Sequence, residues 1–222
     1  MAYIDLMSSL HKSTQRNYLE RVNDPKYPKA KATAIAKQWG FDYWDGDRRI
    51  NYGGYKYIPG RWAPVAQKMI EQYKIKPGSK ILDVGCGKGF QMYEFTQVMP
   101  TVEVRGLDIS EYAIEHAHPS VKSQIHHGTA AKLPYLDLEF DLVYSINTLH
   151  NLNNRDLEAA LREIERVGKN KYICMESYRN ESEKANLLYW QVTCEQFNSP
   201  DDWQWWFEKC GYTGDHSLIY FE

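Results

Sequence analysis

The chain has 222 residues, 27 Lys and Arg against 29 Asp and Glu, and four cysteines (86, 174, 194, 210) without a Cys-x-x-Cys pair. That length suits one domain with an elaborated end, and the cysteines read as buried thiols of a reducing compartment, with neither a disulfide frame nor a metal site. No apolar run reaches the ~20 residues of a membrane span and no signal-like segment opens the chain, so a soluble, cytoplasmic protein without a membrane partner is expected.

Charge is unevenly spread. Residues 1–80 carry 15 basic against 7 acidic side chains, and the remainder 12 against 22. The asymmetry favours an anionic partner for the first third, although scattered lysines also make an ordinary solvated face. Residues 1–40 read as polar and helical, broken near Asp24-Pro25 and Tyr27-Pro28. Residues 39–62 are dense in aromatics, glycines and arginines with no helical or strand period, which predicts an ordered loop of planar surfaces and cationic forks. Arg48, Arg49, Tyr52, Tyr55, Tyr57 and Arg61 are its candidate acceptor-binding residues. Pairing of the arginines with Asp42, Asp45 and Asp47 is an equally weighted structural reading. Trp62, Val65, Ala66, Met69, Ile70 and Tyr73 then follow amphipathic helical spacing as far as Pro77-Gly78.

Next, Ile81, Leu82, Asp83 and Val84 run into Gly85, Cys86, Gly87, Lys88, Gly89 and Phe90. An apolar strand meets three alternate glycines, which let backbone approach a ligand closely before a helix begins. A dinucleotide turn, G-x-G-x-x-G, would need its third glycine where Phe90 stands. Asp83 also suits a ligand bearing an ammonium and a sulfonium better than a pyrophosphate. The stretch resembles motif I (D-x-G-x-G-x-G) of the class I S-adenosylmethionine (SAM)-dependent methyltransferases. The resemblance implies SAM as cofactor, S-adenosylhomocysteine as product, and Asp83, Gly85, Cys86, Gly87 and Gly89 around the ligand.

Beyond the helix at about 89–98, a second strand over 102–108 ends in Asp108, 19 residues past Gly89. Gly106-Leu-Asp-Ile-Ser110 is similar to motif II, whose acid binds the SAM ribose, with Ile109 beside it. A helix over 111–116 and a strand over 123–127 follow. The stretch 128–135 looks like the loop that covers adenine, with Thr129 and Ala130 in contact; many relatives carry an acid where Thr129 stands. The strand over 140–146 and its continuation to Asn151 resemble small-molecule methyltransferases related to quinone-biosynthesis enzymes. That likeness turns Ser145 and Asn147 toward the methionine part of SAM. The N-P-P-Y and D-P-P-Y motifs of amino-methylating nucleic-acid enzymes are absent from the sequence, as is the paired-glutamate loop of protein arginine methyltransferases.

His150 is a candidate general base, weighed against a packing role. A helix around Leu157, Leu161, Ile164 and Val167 is expected to close on Gly168 in the C′ position. A fifth strand over 171–177 delivers Glu176, a second candidate base, with Tyr178 and Arg179 as further acceptor contacts. Ser199, Pro200, Asp201 and Asp202 announce a last helix whose Trp203, Trp206, Phe207 and Cys210 face the core up to Gly211. A closing strand covers 217–221.

Alternating elements with short connections predict an α/β, doubly wound, mostly parallel sheet of the Rossmann-like type. Residues 1–62 form a dependent helical segment and lid, and 63–222 the SAM-binding domain. In the methyltransferase family strands six and seven form an antiparallel hairpin at the edge, and one of them is expected to be short or missing here, because few residues follow Gly211. The expected activity is methyl transfer from SAM to oxygen or nitrogen of a small anionic acceptor, by a monomer or homodimer without metal. RNA methylation through the basic first third, and a non-catalytic SAM-binding protein, are the alternatives; nucleic acid is not the preferred partner.

Overall fold

The computed structural model describes residues 1–10 and 17–222. Its elements are α1 (Tyr18–Val22), α2 (Lys29–Ala36), α3 (Phe41–Trp44), α4 (Ala63–Gln72), β1 (Lys80–Val84), α5 (Phe90–Val98), β2 (Glu103–Asp108), α6 (Glu111–Glu115), β3 (Ile125–His127), β4 (Phe140–Ile146), α7 (Asn154–Val167), β5 (Gly168–Glu176), α8 (Glu181–Trp190), α9 (Pro200–Cys210) and β6 (Asp215–Ile219). The sheet runs β3-β2-β1-β4-β5-β6 with every pair parallel. Side chains of a strand alternate between faces, so each central strand feeds two cores. Leu82, Val84, Val143 and Ile173 pack with Leu161 and Ile164 of α7 and Trp203 and Phe207 of α9. On the other face, Ile81, Leu142 and Tyr172 pack with Val65 and Met69 of α4 and Phe95 of α5.

Helix α9 has the anticipated punctuation. Ser199 and Asp202 complete a capping box, Pro200 stands in the first turn, and Gly211 closes the helix at φ +69°. Gly168, in contrast, does not occupy a C′ position. It is extended (φ −104°, ψ 132°) and opens β5 at once, paired with Phe140. An added Cβ would stand 2.8 Å from Val143 Cγ2, so close strand packing is what requires glycine there.

The edge beyond β5 departs from the family pattern of an antiparallel pair. Here β6 lies directly on β5 and parallel to it. The outer side of β6 is bridged by the chain's own beginning. The Ile4 N–H donates to the His216 carbonyl (2.8 Å) and the His216 N–H to the Ala2 carbonyl (3.0 Å). The first residues are therefore extended rather than helical, and the helical expectation over 11–16 lies outside the described residues. Helix α8 has no counterpart in the sequence reading. It is started by the Asn180 side chain accepting from the Glu183 N–H, but only Glu183 and Leu187 of its residues are buried.

The segment 32–50 forms a small core of its own. Ala32, Ala36, Tyr43, Trp44 and Ile50 pack against Ala113 of α6 and Val192. This core holds the aromatic loop above the C-terminal edge of the sheet. Among the described residues, no helix is long and apolar enough to cross a membrane.

Candidate active site

A cavity of about 610 Å³ opens along that edge, within the range of small-molecule sites. Its floor comes from successive strand ends: Asp83 and the glycine turn from β1, Leu107 to Ile109 from β2, Gly128 to Ala130 after β3, Ile146 to Thr148 and His150 to Leu152 from the end of β4, and Glu176 from β5. Ligands bind at this edge in doubly wound sheets because the loops diverge there.

The turn after β1 is built around Asp108. Its Oδ2 accepts the Gly87 N–H (2.6 Å) and its Oδ1 the Ser110 N–H (2.8 Å). Burial pushes the Asp108 pKa up, and these two backbone bonds oppose it. Gly85 has φ +84°, and a Cβ there would fall 2.1 Å from Thr148 Oγ1. Asp83 is buried, and burial pushes its pKa up to about 8; the Tyr144 hydroxyl donates to its Oδ2 (2.9 Å) and opposes the shift. The turn after β4 exposes unmatched polarity. Asn147 Oδ1, His150 Nδ1 and Asn151 Oδ1 are buried atoms without a hydrogen-bond partner among the described residues.

At the far end His150 Nε2 stands 3.6 Å from Glu176 Oε2, beyond hydrogen-bond distance. Both side chains are buried, and Gln191 Nε2 donates to the same Glu176 oxygen. Burial pushes the His150 pKa down to about 3, so the imidazole is neutral at pH 7.

The expected residues divide sharply. Asp83, Gly85, Cys86, Gly87, Asp108, Ile109, Thr129, Ala130, Asn147, His150 and Glu176 all line the cavity, as do Arg48, Tyr52, Tyr55 and Arg61 of the lid. Ser145 does not; it is fully buried and donates to the Val84 carbonyl (2.8 Å), tying β4 to β1. Gly89 also lies outside the lining and serves as the left-handed N-cap of α5. Among the acceptor candidates, four face elsewhere. Arg49 pairs with Asp47 and Asp24 over the Tyr27 ring. Arg179 pairs with Glu183 and Glu222 over Tyr220. Tyr57 donates to Glu94 Oε1 (2.9 Å), and Tyr178 packs in a separate apolar cluster. The arginine–acid pairing considered for the loop thus holds for Arg49, while Asp45 pairs with Lys88 instead.

Sequence reading did not single out Trp44, Asn51, Lys56, Trp190 or Gln191, which also line the cavity. Trp44 lies over the glycine turn, its ring 2.7 Å from where a Gly87 Cβ would stand, and it stacks on Tyr52 (centroids 5.3 Å, 10° between planes). The density of tryptophan and tyrosine over 39–62 was the available signal, but which ring meets the turn is decided by the fold.

The family model described as a methyltransferase domain matches residues 81–171. The stretch it covers holds the glycine turn, Asp108 and the β4 turn that line the cavity. The chain carries a class I SAM-dependent methyltransferase domain. It is 30% identical over 146 residues to a demethylmenaquinone methyltransferase of Symbiobacterium thermophilum, covering 60% of this chain and 57% of the relative. With the enzyme of that name from Staphylococcus saprophyticus the identity is 30% over 154 residues, or 63% and 65% of the two chains. The chain therefore spans less than two thirds of the length of these curated relatives. The fold is shared with the YcgJ protein of Bacillus subtilis, at TM-score 0.52 and 22% identity over 65% of this chain and 66% of that one. It is also shared with a structure titled a putative sarcosine dimethylglycine methyltransferase from Galdieria sulphuraria, at TM-score 0.56 and 16% identity over 68% and 59%.

Methyltransferases of this class take their methyl group from SAM, and the residues of the methyltransferase domain fit that group. Two buried acids, 83 and 108, face one cavity. The unpartnered Asn147 oxygen lines the same space, an acceptor suited to an ammonium.

Proposed function

We propose that the protein transfers a methyl group from SAM to a small, anionic acceptor. The observation that carries this reading is one continuous cavity joining the two signature acids to the buried His150–Glu176 pair beneath a basic lid. Bound SAM supplies an electrophilic methyl group on its sulfonium. Asp108 would hold the ribose hydroxyls, Thr129 and Ala130 the adenine side, and Asp83 with Asn147 the ammonium. The aromatic lid would exclude water, and alignment of nucleophile with the methyl carbon would supply most of the acceleration. Arg48, Lys56 and Arg61 line the opening as exposed cations, and they favour an anionic acceptor over the demethylmenaquinone for which the relatives are named. Residues 1–62 would then act as a lid on a SAM-binding domain of 63–222.

The test has two stages. Calorimetry should first detect S-adenosylhomocysteine binding. Transfer of labelled methyl from SAM into a metabolite extract, followed by mass spectrometry, should then identify the acceptor. Binding without any transfer would favour the non-catalytic alternative.

Two outcomes are expected once an acceptor is known. Arg48→Gln with Lys56→Gln should raise its KM about tenfold or more with the cofactor affinity unchanged, because a charge-assisted hydrogen bond contributes roughly 1.5–3 kcal/mol. Arg49→Gln and Arg179→Gln should leave KM alone; if they act like the first pair, the anion is held elsewhere. The second outcome concerns the base. Burial pushes the His150 pKa down and makes the imidazole a weaker base, so Glu176, which lines the same cavity, is the candidate set against it. Glu176→Gln should lower turnover of a protonated acceptor by about 10²–10⁴-fold, with His150→Asn changing it far less. The opposite ranking in steady-state kinetics would move the role to His150.

A further inference from the structure

The lid is held at three places, the last of them Glu94 of α5, which accepts from the Tyr57 hydroxyl (2.9 Å) and the Gly60 N–H (2.7 Å). Its first half is held at Ser110, whose Oγ accepts from Trp44 Nε1 (2.9 Å) and donates to the Trp39 carbonyl (2.5 Å). Its second half is held from inside the glycine turn. Lys88 would by position be taken for a cofactor contact, since it stands between Gly87 and Gly89. Its side chain is only 5% exposed, however, and it is not among the cavity-lining residues. Lys88 Nζ instead donates to Asp45 Oδ2 (2.6 Å) and to the Tyr55 carbonyl (3.0 Å). The same carboxylate accepts the Tyr112 hydroxyl (2.8 Å) on Oδ2 and the Tyr55 N–H (3.0 Å) on Oδ1. Two residues after Lys88, Phe90 stacks on Tyr55 (centroids 5.1 Å, 22° between planes).

Among the described residues, the cations at the cavity opening, Arg48, Lys56 and Arg61, all follow Asp45 on this second half of the lid. A buried ion pair adds little net stability against an apolar alternative, but removing one partner leaves the other charge stranded. Its best-attested use is to fix one arrangement among several, and here the arrangement it fixes is the register of the loop over the turn.

We propose that Lys88 is a positioning residue for the acceptor side of the cavity: through Asp45 and Tyr55 it latches residues 45–58 in place and takes no direct part in holding the cofactor. The inference rests on the reading of the cavity as a methyl-transfer site only in assigning the lid to the acceptor. The latch itself is a statement about the apo protein.

Hydrogen exchange with mass spectrometry, paired with calorimetry of S-adenosylhomocysteine, tests it on the full chain. In Lys88→Met, peptides covering 45–58 should exchange at least about tenfold faster, with those covering β1 and β4 unchanged. Affinity for S-adenosylhomocysteine should stay within about threefold of wild type, because Asp83, Asp108 and the Ser110 anchor remain. Asp45→Asn, at a less buried site, should show the same pattern more weakly, and it carries the test alone if Lys88→Met does not fold. Faster exchange throughout the sheet, unchanged exchange in 45–58, or a loss of affinity beyond tenfold would each overturn the latch. Failure of the wild type to bind S-adenosylhomocysteine would remove the cofactor reading and leave the exchange result to decide the latch.

Discussion

Asp108→Ala is expected to weaken S-adenosylhomocysteine binding severely and to lower the melting temperature. The carboxylate serves two purposes at once. Toward the ligand it would accept the ribose hydroxyls. Toward the protein it terminates the N–H groups of Gly87 and Ser110, which are buried with it. Removing the acceptor leaves both amides without a partner, at about 1–3 kcal/mol each. The turn that presents the glycines then relaxes, and the Ser110 hydroxyl that holds Trp44 moves with it. Affinity should therefore fall by about 10²-fold or more in calorimetry, beyond what the lost ligand bonds alone would give. Asp108→Asn separates the two effects, since it keeps one carbonyl acceptor for an amide and forfeits the charge. An alanine variant that binds like wild type would remove Asp108 from the cofactor site.

The parts of this fold that were legible from residues are those whose burial is continuous. Strand β4 matches its expected bounds because Phe140 and Leu142 to Ser145 are all buried in the sheet centre. Capping chemistry located α9 for a similarly local reason. Helix α8 escaped because its exposed Leu188 and Tyr189 interrupt any apolar stripe, leaving no period to read. The direction of β6 was hidden because it depends on where the crossover after α9 lands, not on the five residues themselves.

At the site, strand-end acids and glycines were readable because short-range backbone geometry fixes them. The lid was readable only in part: Arg48, Tyr52, Tyr55 and Arg61 line the cavity, but a cation can also satisfy itself locally. Arg49 has Asp47 two residues before it and Arg179 has Glu183 four residues after it, and both took those partners. Such spacing is visible in the sequence and marks which arginines are already committed. Lys56 has no comparable acid beside it, and it is the cation that sequence reading passed over.

Ligand affinity should rise with pH up to about 8 through Asp83. In the unfolded chain a carboxyl titrates near 4, whereas burial holds Asp83 protonated in the ligand-free fold up to about 8. Between those values the folded state binds a proton that the unfolded state has released. Stability from this group is thus greatest below pH 4 and declines as pH rises through the window, by up to ~1.4 kcal/mol per unit. Thermal melts of Asp83→Asn should lack that component of the slope, and comparison with wild type isolates it from the buried Asp108. A ligand ammonium placed beside Asp83 would favour the carboxylate, so binding near pH 7 should expel close to one proton. S-adenosylhomocysteine affinity should then increase by up to about tenfold per pH unit from 6 toward 8 and level off above, and calorimetry in buffers of different ionisation enthalpy should count the released proton. Asp83→Asn should bind more weakly at pH 8 and lose the part of the pH profile and the proton release that belong to Asp83. A flat profile in the wild type would mean that the ammonium lies elsewhere, and Asn147 in the turn after β4 would become the residue to replace next.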